Sequence, residues 1–126
     1  MGWEVFPDGL TNILTRIHRD YSPKAMIVTE SGAAFDDQWD GNNHVHDQKR
    51  IDFLQAHIQS VAQVMRQGVP VKGYFVWSFL DNFEWAEGYR KRFGLVYVDY
   101  PTQRRVIKDS GRWYASFVAS QKAAHL

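Results

Sequence analysis

The sequence predicts a parallel α/β fold, and three features of its 126 residues support this class. A continuous apolar, β-branched run at residues 25–29 and a second, mostly apolar segment at residues 71–77 are typical of strands that are buried on both faces, as in a parallel sheet. Stretches with apolar residues three and four apart predict amphipathic helices around these strands. The resulting order is helix, strand, loop, helix, strand, loop, helix, which is the alternation expected of parallel α/β proteins.

The first predicted helix begins at Pro7, a residue type that suits the first helical turn. Its apolar side chains are spaced as on one helical face and comprise Leu10, Ile13, Leu14 and Ile17. Residues 21–23 (Tyr-Ser-Pro) end this helix. The first buried strand then follows at residues 25–29, and a polar loop occupies residues 31–46.

The second predicted helix follows Asp47, a residue type favoured at the N-cap. Its apolar positions are again three and four apart and comprise Ile51, Leu54, Ile58, Val61 and Met65. Gly68 and then Pro70 end the helix, as is common at helix C-termini. After the second strand and a long loop, we expect a short extended segment at 93–98 and a last helix capped by Ser110.

Two buried parallel strands do not make a complete sheet. Strands of this kind need neighbours on both sides and helices on both faces. The edges of a two-stranded sheet also need covering. The pattern therefore predicts a part of a larger barrel or sheet, of a size that allows one compact domain but not two.

The composition argues against several classes of function. Lys and Arg number 15 and Asp and Glu 14, and this net charge of +1 argues against a dedicated binder of nucleic acid or membrane surfaces. There are no cysteines, which excludes a disulfide scaffold, a cysteine nucleophile and a thiolate zinc site. The sequence has no apolar run of transmembrane length and no signal-peptide pattern at its start, so we expect a cytoplasmic protein. The aromatic content of 15% suits either stacking on sugar rings or core packing.

Candidate functional residues lie at the carboxyl ends of the two predicted strands, where sites form in α/β barrels and open sheets. Glu30 ends the first strand, and Gly32 lets the backbone turn away. This carboxylate is either a catalytic group or the partner of a neighbouring arginine. Trp77, Glu84 and Trp85 follow the second strand. They either form a sugar subsite, in which indole rings stack and polar groups bind hydroxyls, or fill space by packing.

Two further polar clusters have a structural and a functional interpretation. His44 and His46 lie in a loop without a third ligand, which favours a solvated loop over a metal site. Arg90, Lys91 and Arg92 stand beside aromatic residues, as in some nucleic-acid interfaces. With a net charge of only +1, we expect instead that this basic loop pairs with carboxylates.

Five short motifs occur in order along the chain: Gly-Trp-Glu-Val at 2–5, Thr-Glu-Ser-Gly at 29–32, Gly-Tyr-Phe-Val-Trp-Ser at 73–78, Asp-Asn-Phe-Glu-Trp at 81–85 and Lys-Arg-Phe-Gly-Leu at 91–95. With these motifs the chain resembles glycoside hydrolase family 1, the β-glucosidase family. The second motif is similar to the family's nucleophile motif Thr-Glu-Asn-Gly, and the last three resemble the signature of its last strand. The resemblance covers essentially the whole chain in collinear order.

The resemblance implies a fold and a reaction. The family fold is a TIM (β/α)₈ barrel, so residues 1–126 would form a partial barrel domain that contains the last two βα units, the C-terminal quarter, without the N-terminal part. The family hydrolyses terminal β-D-glucosides or galactosides with retention, using one carboxylate as nucleophile and another as acid/base. Glu30 matches the nucleophile. The acid/base motif Thr-x-Asn-Glu-Pro does not occur in these residues, so we expect the isolated chain to be inactive.

The resemblance also implies a sugar subsite and no metal or organic cofactor. Trp77 matches the floor of the glycone subsite, Glu84 the carboxylate that binds outer sugar hydroxyls, and Trp85 the neighbouring indole donor. Phe93 matches an aromatic residue that lines the same subsite. A carboxylate at position 84 would repel a phosphate, which favours an unphosphorylated glycone. Ser31 stands where the family usually has Asn.

Three functions remain open on the sequence alone. The first is a retaining β-glycosidase that acts on a β-glucoside or oligosaccharide once the missing N-terminal barrel segment is supplied. The second is a non-catalytic barrel fragment that buries its strand edges by self-association. The third is a lone sugar-binding module, which is disfavoured because half a subsite offers few convergent contacts. None of the three involves nucleic acid or a membrane.

Overall fold

A computed structural model of the chain describes residues 1–123. Within them lie three α-helices, namely α1 (Pro7–Tyr21), α2 (Gln48–Arg66) and α3 (Asp109–Ala123). The strands are β1 (Met26–Ser31), β2 (Gln38–Trp39), β3 (Val45–His46), β4 (Val71–Val76), β5 (Val96–Asp99) and β6 (Arg104–Ile107). They form three two-stranded sheets, in which β1 pairs with β4, β2 with β3, and β5 with β6.

The chain folds as two compact units, each built from two separate segments. Met1–Gly32 and Asp52–Val76 form the first unit, while Ala33–Ile51 and the described residues from Trp77 onward form the second. The first unit contains the parallel strands and most of α2. The second unit contains both antiparallel hairpins and α3.

The first unit is built on the parallel pair of β1 and β4, which confirms the predicted parallel α/β arrangement. Ser31 pairs with Val76 at the last residue of both strands, so the two carboxyl ends lie at the same edge. Helices α1 and α2 and the residues around the start of β4 supply the apolar core, which comprises Leu14, Val61, Val64, Val69 and Val71. Met26, Val28 and Tyr74 of the two strands pack against it.

The two parallel strands are covered on one face, so the prediction that both faces are buried was wrong. Ile27 is 55% exposed and Phe75 is 60% exposed, whereas their neighbours Val28 and Tyr74 pack on the core. Side chains alternate between the faces of a strand. Among the described residues of this unit, the helices cover one of these faces. The apolar composition of the strands therefore does not establish that both of their faces are buried in this unit.

The boundaries of α1 and α2 agree closely with the sequence signals. Helix α1 begins at Pro7 and ends before Ser22, whose left-handed backbone lets its N–H donate to the carbonyl of His18 at 2.9 Å. Helix α2 begins directly after Asp47 and ends just before Gly68, which has a φ of +90°. Among residues 1–123, no helix has the length and apolar character needed to cross a membrane.

The second unit contains two antiparallel hairpins, and of their four strands the sequence predicted only the segment that contains β5. Strands β2 and β3 lie within the stretch interpreted as a polar loop, and each has two residues. The extended segment expected at 93–98 overlaps β5 at residues 96–98, and β5 pairs with β6. In β6 only Val106 is buried, so this strand has no apolar run to mark it.

Candidate functional site

Glu30 lies exposed at the carboxyl end of β1. The strand register changes at this point, because Val28 pairs with Tyr74 and Ser31 with Val76, so three residues of β1 advance against two of β4. An extra residue of this kind forms a bulge, which re-aims side chains and is common beside active sites. The sequence offered no signal for this irregularity.

Ser31 holds the end of β1 against β4. The hydroxyl of Tyr74 donates to Oγ of Ser31 at 2.8 Å, in addition to the backbone pairing of the two strands. The serine that stands where the family usually has Asn is therefore part of the support of the strand end. Glu30 is consequently carried by a backbone that is tied down on its C-terminal side.

Trp77 and Glu84 are brought together by a direct hydrogen bond. Nε1 of the Trp77 indole donates to Oε1 of Glu84 at 3.2 Å. Trp77 directly follows β4, its ring is partly exposed, and its peptide bond to Ser78 is cis. The hydrogen bond thus holds the aromatic face of Trp77 next to the carboxylate of Glu84.

The segment after Glu84 is closed by its own backbone. The N–H of Glu84 donates to the carbonyl of Gly88 at 2.8 Å, and a single 3-10 turn covers Trp85–Glu87. Trp85 has a φ of +51° and is 85% exposed. A bulky residue rarely adopts this backbone conformation, and such positions concentrate at functional sites. The turn therefore presents an indole ring to solvent.

Phe93 differs from the other predicted subsite residues because its side chain is only 5% exposed. Its carbonyl accepts the N–H of Ser78 at 3.3 Å, next to Trp77. The backbone of Asp81 packs so closely against the neighbouring Gly94 that only glycine fits there. A Cβ at this position would lie 2.2 Å from the backbone nitrogen of Asp81. The contact of Phe93 with a sugar stays a prediction.

Asp81 anchors the loop that begins at Trp77. Its Oδ1 accepts the N–H of Gly94 at 2.9 Å and the ammonium of Lys108 at 2.8 Å. Its Oδ2 accepts the guanidinium of Arg92 at 2.6 Å. The buried carboxylate thereby ties the loop of Trp77 and Glu84 to two later segments of the chain.

Asp81 is part of a network of six buried or nearly buried charged side chains. Lys108 joins Asp81 to Asp37, and Arg50 joins Asp37 to Asp47. Three carboxylates face three cations, which are Asp37, Asp47 and Asp81 against Arg50, Arg92 and Lys108. Buried charges are tolerated when they are paired in this way.

The start of α3 is capped from a distant part of the sequence. The helix begins at Asp109, so the prediction that Ser110 caps it was wrong. Instead, Oδ1 of Asp47 accepts the backbone N–H of Ser110 at 2.8 Å, and Oδ2 accepts its hydroxyl at 2.5 Å. The carboxylate satisfies one of the backbone donors that a helix start leaves open. Because 63 residues separate the partners, local patterns could not reveal this cap.

The two arginines of the basic loop at residues 90–92 pair with carboxylates, as expected of this loop. Arg90 lies 3.0 Å from a carboxylate oxygen of Glu87, and Arg92 pairs with Asp81. The guanidinium of Arg92 also lies over the ring of Tyr97, 3.9 Å from its centroid.

A third possible metal ligand joins the two loop histidines. Oδ1 of Asp109 lies 3.2 Å from Nε2 of His44, and Oδ2 lies 2.8 Å from Nδ1 of His46. Local sequence patterns do not reveal this third ligand, because Asp109 follows His46 by 63 residues. The three side chains meet on the second unit.

Comparison with known proteins identifies the class of protein. Residues 1–123 match the family model of glycosyl hydrolase family 1. β-Glucosidase A of Thermotoga maritima is 58% identical over 118 residues, which cover 94% of this chain and 26% of that protein. A 6-phospho-β-galactosidase of Leptotrichia buccalis is 41% identical over 89% of this chain and 24% of its own length. The chain thus spans about a quarter of the length of the curated relatives it matches.

Solved structures agree with this class. The family 1 β-glucosidase from Thermotoga maritima, in two solved structures of which one is the complex with glucoimidazole, superposes with a TM-score of 0.92 at 57% identity. Each match covers 94% of this chain and 27% of that one. These neighbours are TIM-barrel glycosidases, and the α/β fold of the chain is consistent with them. The chain belongs to glycosyl hydrolase family 1.

We expect Lys108→Met to lower the free energy of unfolding by about 3–5 kcal/mol, because Asp37 and Asp81 would lose their shared cation while staying buried. Urea denaturation of the chain measures this change. Lys49→Met, at an exposed lysine in the first turn of α2, is the matched control and should change it by less than about 0.5 kcal/mol. Equal effects of the two substitutions would mean that the buried network does not stabilise the chain.

Burial raises the pKa of the Asp47 carboxyl above its ordinary value, and the hydrogen bonds from Ser110 oppose this in part. A carbon-13 NMR titration should therefore give a midpoint above the value of about 3.9 for an unstructured Asp. The folded state binds more protons between the unfolded and the folded pKa. Ionised Asp47 thus costs stability above the folded pKa, and the cost is relieved as the pH falls through that interval. A midpoint no higher than that of the urea-unfolded chain would contradict this.

Proposed function

We propose that this chain supplies the last two βα units of a retaining β-glycosidase barrel, and with them the nucleophile and part of the glycone subsite. The observation that carries the proposal is Glu30, an exposed carboxylate at the end of a parallel strand in a chain that matches family 1 over residues 1–123. The chemistry proposed is the hydrolysis of terminal β-D-glucosides or galactosides by double displacement.

Glu30 is the proposed nucleophile. One of its oxygens forms a bond to the anomeric carbon while the bond from that carbon to the leaving oxygen breaks. A second carboxylic acid gives its proton to the leaving oxygen and then takes a proton from water. This water attacks the anomeric carbon and releases Glu30 as a carboxylate. In retaining enzymes the two carboxyl groups stand about 5–5.5 Å apart.

The second carboxyl group is assigned to the rest of the barrel. The motif Thr-x-Asn-Glu-Pro, which carries it in the family, does not occur in the 126 residues. General acid–base catalysis contributes typically about 10²–10⁴-fold to a rate. We therefore propose that this chain by itself does not turn over glycosides, and that the remainder of the barrel is its partner.

The support of Glu30 favours the same role. The bulge in β1 re-aims the strand end, and the bond from Tyr74 to Ser31 fixes it against β4. A nucleophile must be held in a near-attack geometry, because small displacements cost large factors in rate. Ser31 and Tyr74 are thus proposed as positioning residues.

Trp77, Glu84 and Trp85 are proposed to bind the glycone. The ring of Trp77 offers a face on which a sugar ring can stack. Its N–H donates to the Glu84 carboxylate and so fixes the orientation of that carboxylate. A carboxylate accepts hydrogen bonds from sugar hydroxyls, and the exposed indole of Trp85 adds a donor. Phe93, which is packed beneath the surface, is proposed as the wall behind these groups.

A second substrate class is suggested by one relative, the 6-phospho-β-galactosidase of Leptotrichia buccalis. Glu84 argues against it here, because a carboxylate next to the outer hydroxyls would repel a phosphate dianion. We therefore propose an unphosphorylated glycone.

A non-catalytic function is the other candidate, and the exposed apolar face of the β1–β4 pair favours it. Ile27 and Phe75 lie on this face. Self-association of the chain would cover them. A monomeric chain in analytical ultracentrifugation would argue against this candidate without affecting the catalytic one.

The nucleophile is best tested in a chimera in which this chain replaces the matching quarter of Thermotoga maritima β-glucosidase A. We expect the chimera to hydrolyse a chromogenic β-glucoside and Glu30→Gln to lower kcat by about 10³-fold or more, since no covalent intermediate can form. Glu4→Gln, at another exposed glutamate, is the matched control and should retain activity. Full activity of the Glu30→Gln chimera would refute the assignment.

Azide separates a nucleophile from a residue that only positions others. In a Glu30→Gly chimera given a dinitrophenyl β-glucoside, azide can enter the vacated space, bond to the anomeric carbon and displace dinitrophenolate. The leaving group needs no proton, so the reaction is balanced without an acid. An α-glucosyl azide product supports the nucleophile role, and its absence together with a folded chimera contradicts it.

Glu84 is expected to decide between free and phosphorylated sugars. In the chimera, Glu84→Ser should lower kcat/KM for the unphosphorylated β-glucoside by about 10–100-fold, the effect of losing hydrogen bonds to a charged group. The ratio of kcat/KM values should shift toward the 6-phospho-β-glucoside. Glu87→Ser, three residues further along, is the matched control and should leave this ratio unchanged.

A further inference from the structure

We propose that His44, His46 and Asp109 form a binding site for a divalent transition-metal ion such as Zn²⁺. The site lies within the second unit, where strand β3 and the start of α3 meet. It uses none of the residues to which the glycosidase proposal assigns a role, so the two proposals stand or fall separately.

The three side chains already lie at distances close to those of a coordination sphere. One ligand atom of each residue lies within 4.8 Å of those of the other two. The carboxylate of Asp109 divides its oxygens, with Oδ1 3.2 Å from Nε2 of His44 and Oδ2 2.8 Å from Nδ1 of His46. Zinc bonds of about 2.0–2.2 Å place neighbouring tetrahedral ligands roughly 3.4 Å apart. Side-chain shifts of about 1 Å would therefore complete the site.

The backbone holds these ligands on fixed elements. His44 and His46 are two residues apart, the spacing that places side chains on one face of an extended segment. Their ring centroids lie 4.1 Å apart, and Val45 between them is completely buried. Asp109 is the first residue of α3, whose start is anchored when Asp47 binds Ser110. Ligands carried by packed elements lose little freedom on binding an ion.

The donor set selects the class of ion. Two imidazoles and one carboxylate suit Zn²⁺, Ni²⁺ and Cu²⁺, whereas Mg²⁺ and Ca²⁺ prefer oxygen ligands alone. His46 is 82% exposed, so water can reach the ion and fill its remaining positions. The site therefore has three protein ligands and an open side.

Binding of an ion would stabilise the folded second unit. The ion would link the loop histidines to Asp109. His46 and Asp109 are 63 positions apart in the sequence. The unfolded chain does not hold these groups together, so an ion that binds only the folded state raises the melting temperature, and the rise grows with the logarithm of the ratio of ion concentration to Kd.

Isothermal titration calorimetry of the 126-residue chain with zinc chloride tests the proposal. We expect about one ion per chain and a loss of affinity of at least tenfold in His46→Gln, His44→Gln and Asp109→Asn, since even an outer partner of a ligand typically contributes about 10–100-fold. His18→Gln, on α1, is the matched control and should bind zinc like the wild type. Circular dichroism checks that each variant is folded. His46 is the most exposed of the three ligands, so His46→Gln disturbs the fold least.

Copper provides an independent readout. Electron paramagnetic resonance of the chain with one equivalent of Cu²⁺ should show coupling to two nitrogens, and to one in either histidine variant. At the same zinc concentration, the melting temperature should rise more for the wild type than for His46→Gln. Zinc affinity that is unchanged in all three ligand variants would overturn the proposal, as would equal affinity for Mg²⁺ or a loss of binding in His18→Gln alone.

Discussion

The ammonium group of Lys108 is the point on which the second unit depends. It is fully buried and lies between the carboxylates of Asp37 and Asp81, 2.8 Å from the latter. Burial lowers the pKa of Lys108 and Arg50 adds to this, while the two carboxylates oppose it. Because a buried ion is tolerated only when it is paired, the segments that carry these charges must take up positions that suit one another. The loop that begins at Trp77 is therefore anchored from within.

The residues proposed to contact a substrate are exposed in both units, as Glu30 is in the first and Trp85 in the second. In the second unit, Asp81 is buried and bonded on both oxygens. This division matches the general design in which loops and strand ends carry function and a rigid scaffold positions them. Asp47 is a second buried carboxylate with a supporting role in this unit. It binds Ser110 at the start of α3 and thereby holds Asp109, one of the proposed metal ligands.

Local sequence patterns were sufficient for the helices, the two parallel strands and the class of protein. Helix α1 begins at Pro7, and α2 ends just before Gly68, because caps and apolar spacing act between residues a few positions apart. The resemblance that predicted the family rests on motifs of the same short range, with Glu30 in one and Trp77 in another. Such signals are complete within a window of sequence, so no knowledge of the fold is needed to find them.

Long-range contacts were decided only by the tertiary structure. The cap of Ser110 by Asp47 and the meeting of Asp109 with His46 both join residues 63 positions apart, and no local rule pairs them. The exposure of Ile27 was also decided only by the tertiary structure, because composition does not tell which face of a strand a helix will cover. The sequence by itself thus determined the helices, the two parallel strands, the family and the candidate side chains. Folding alone determined which of those side chains meet, because contact depends on the path of the whole chain.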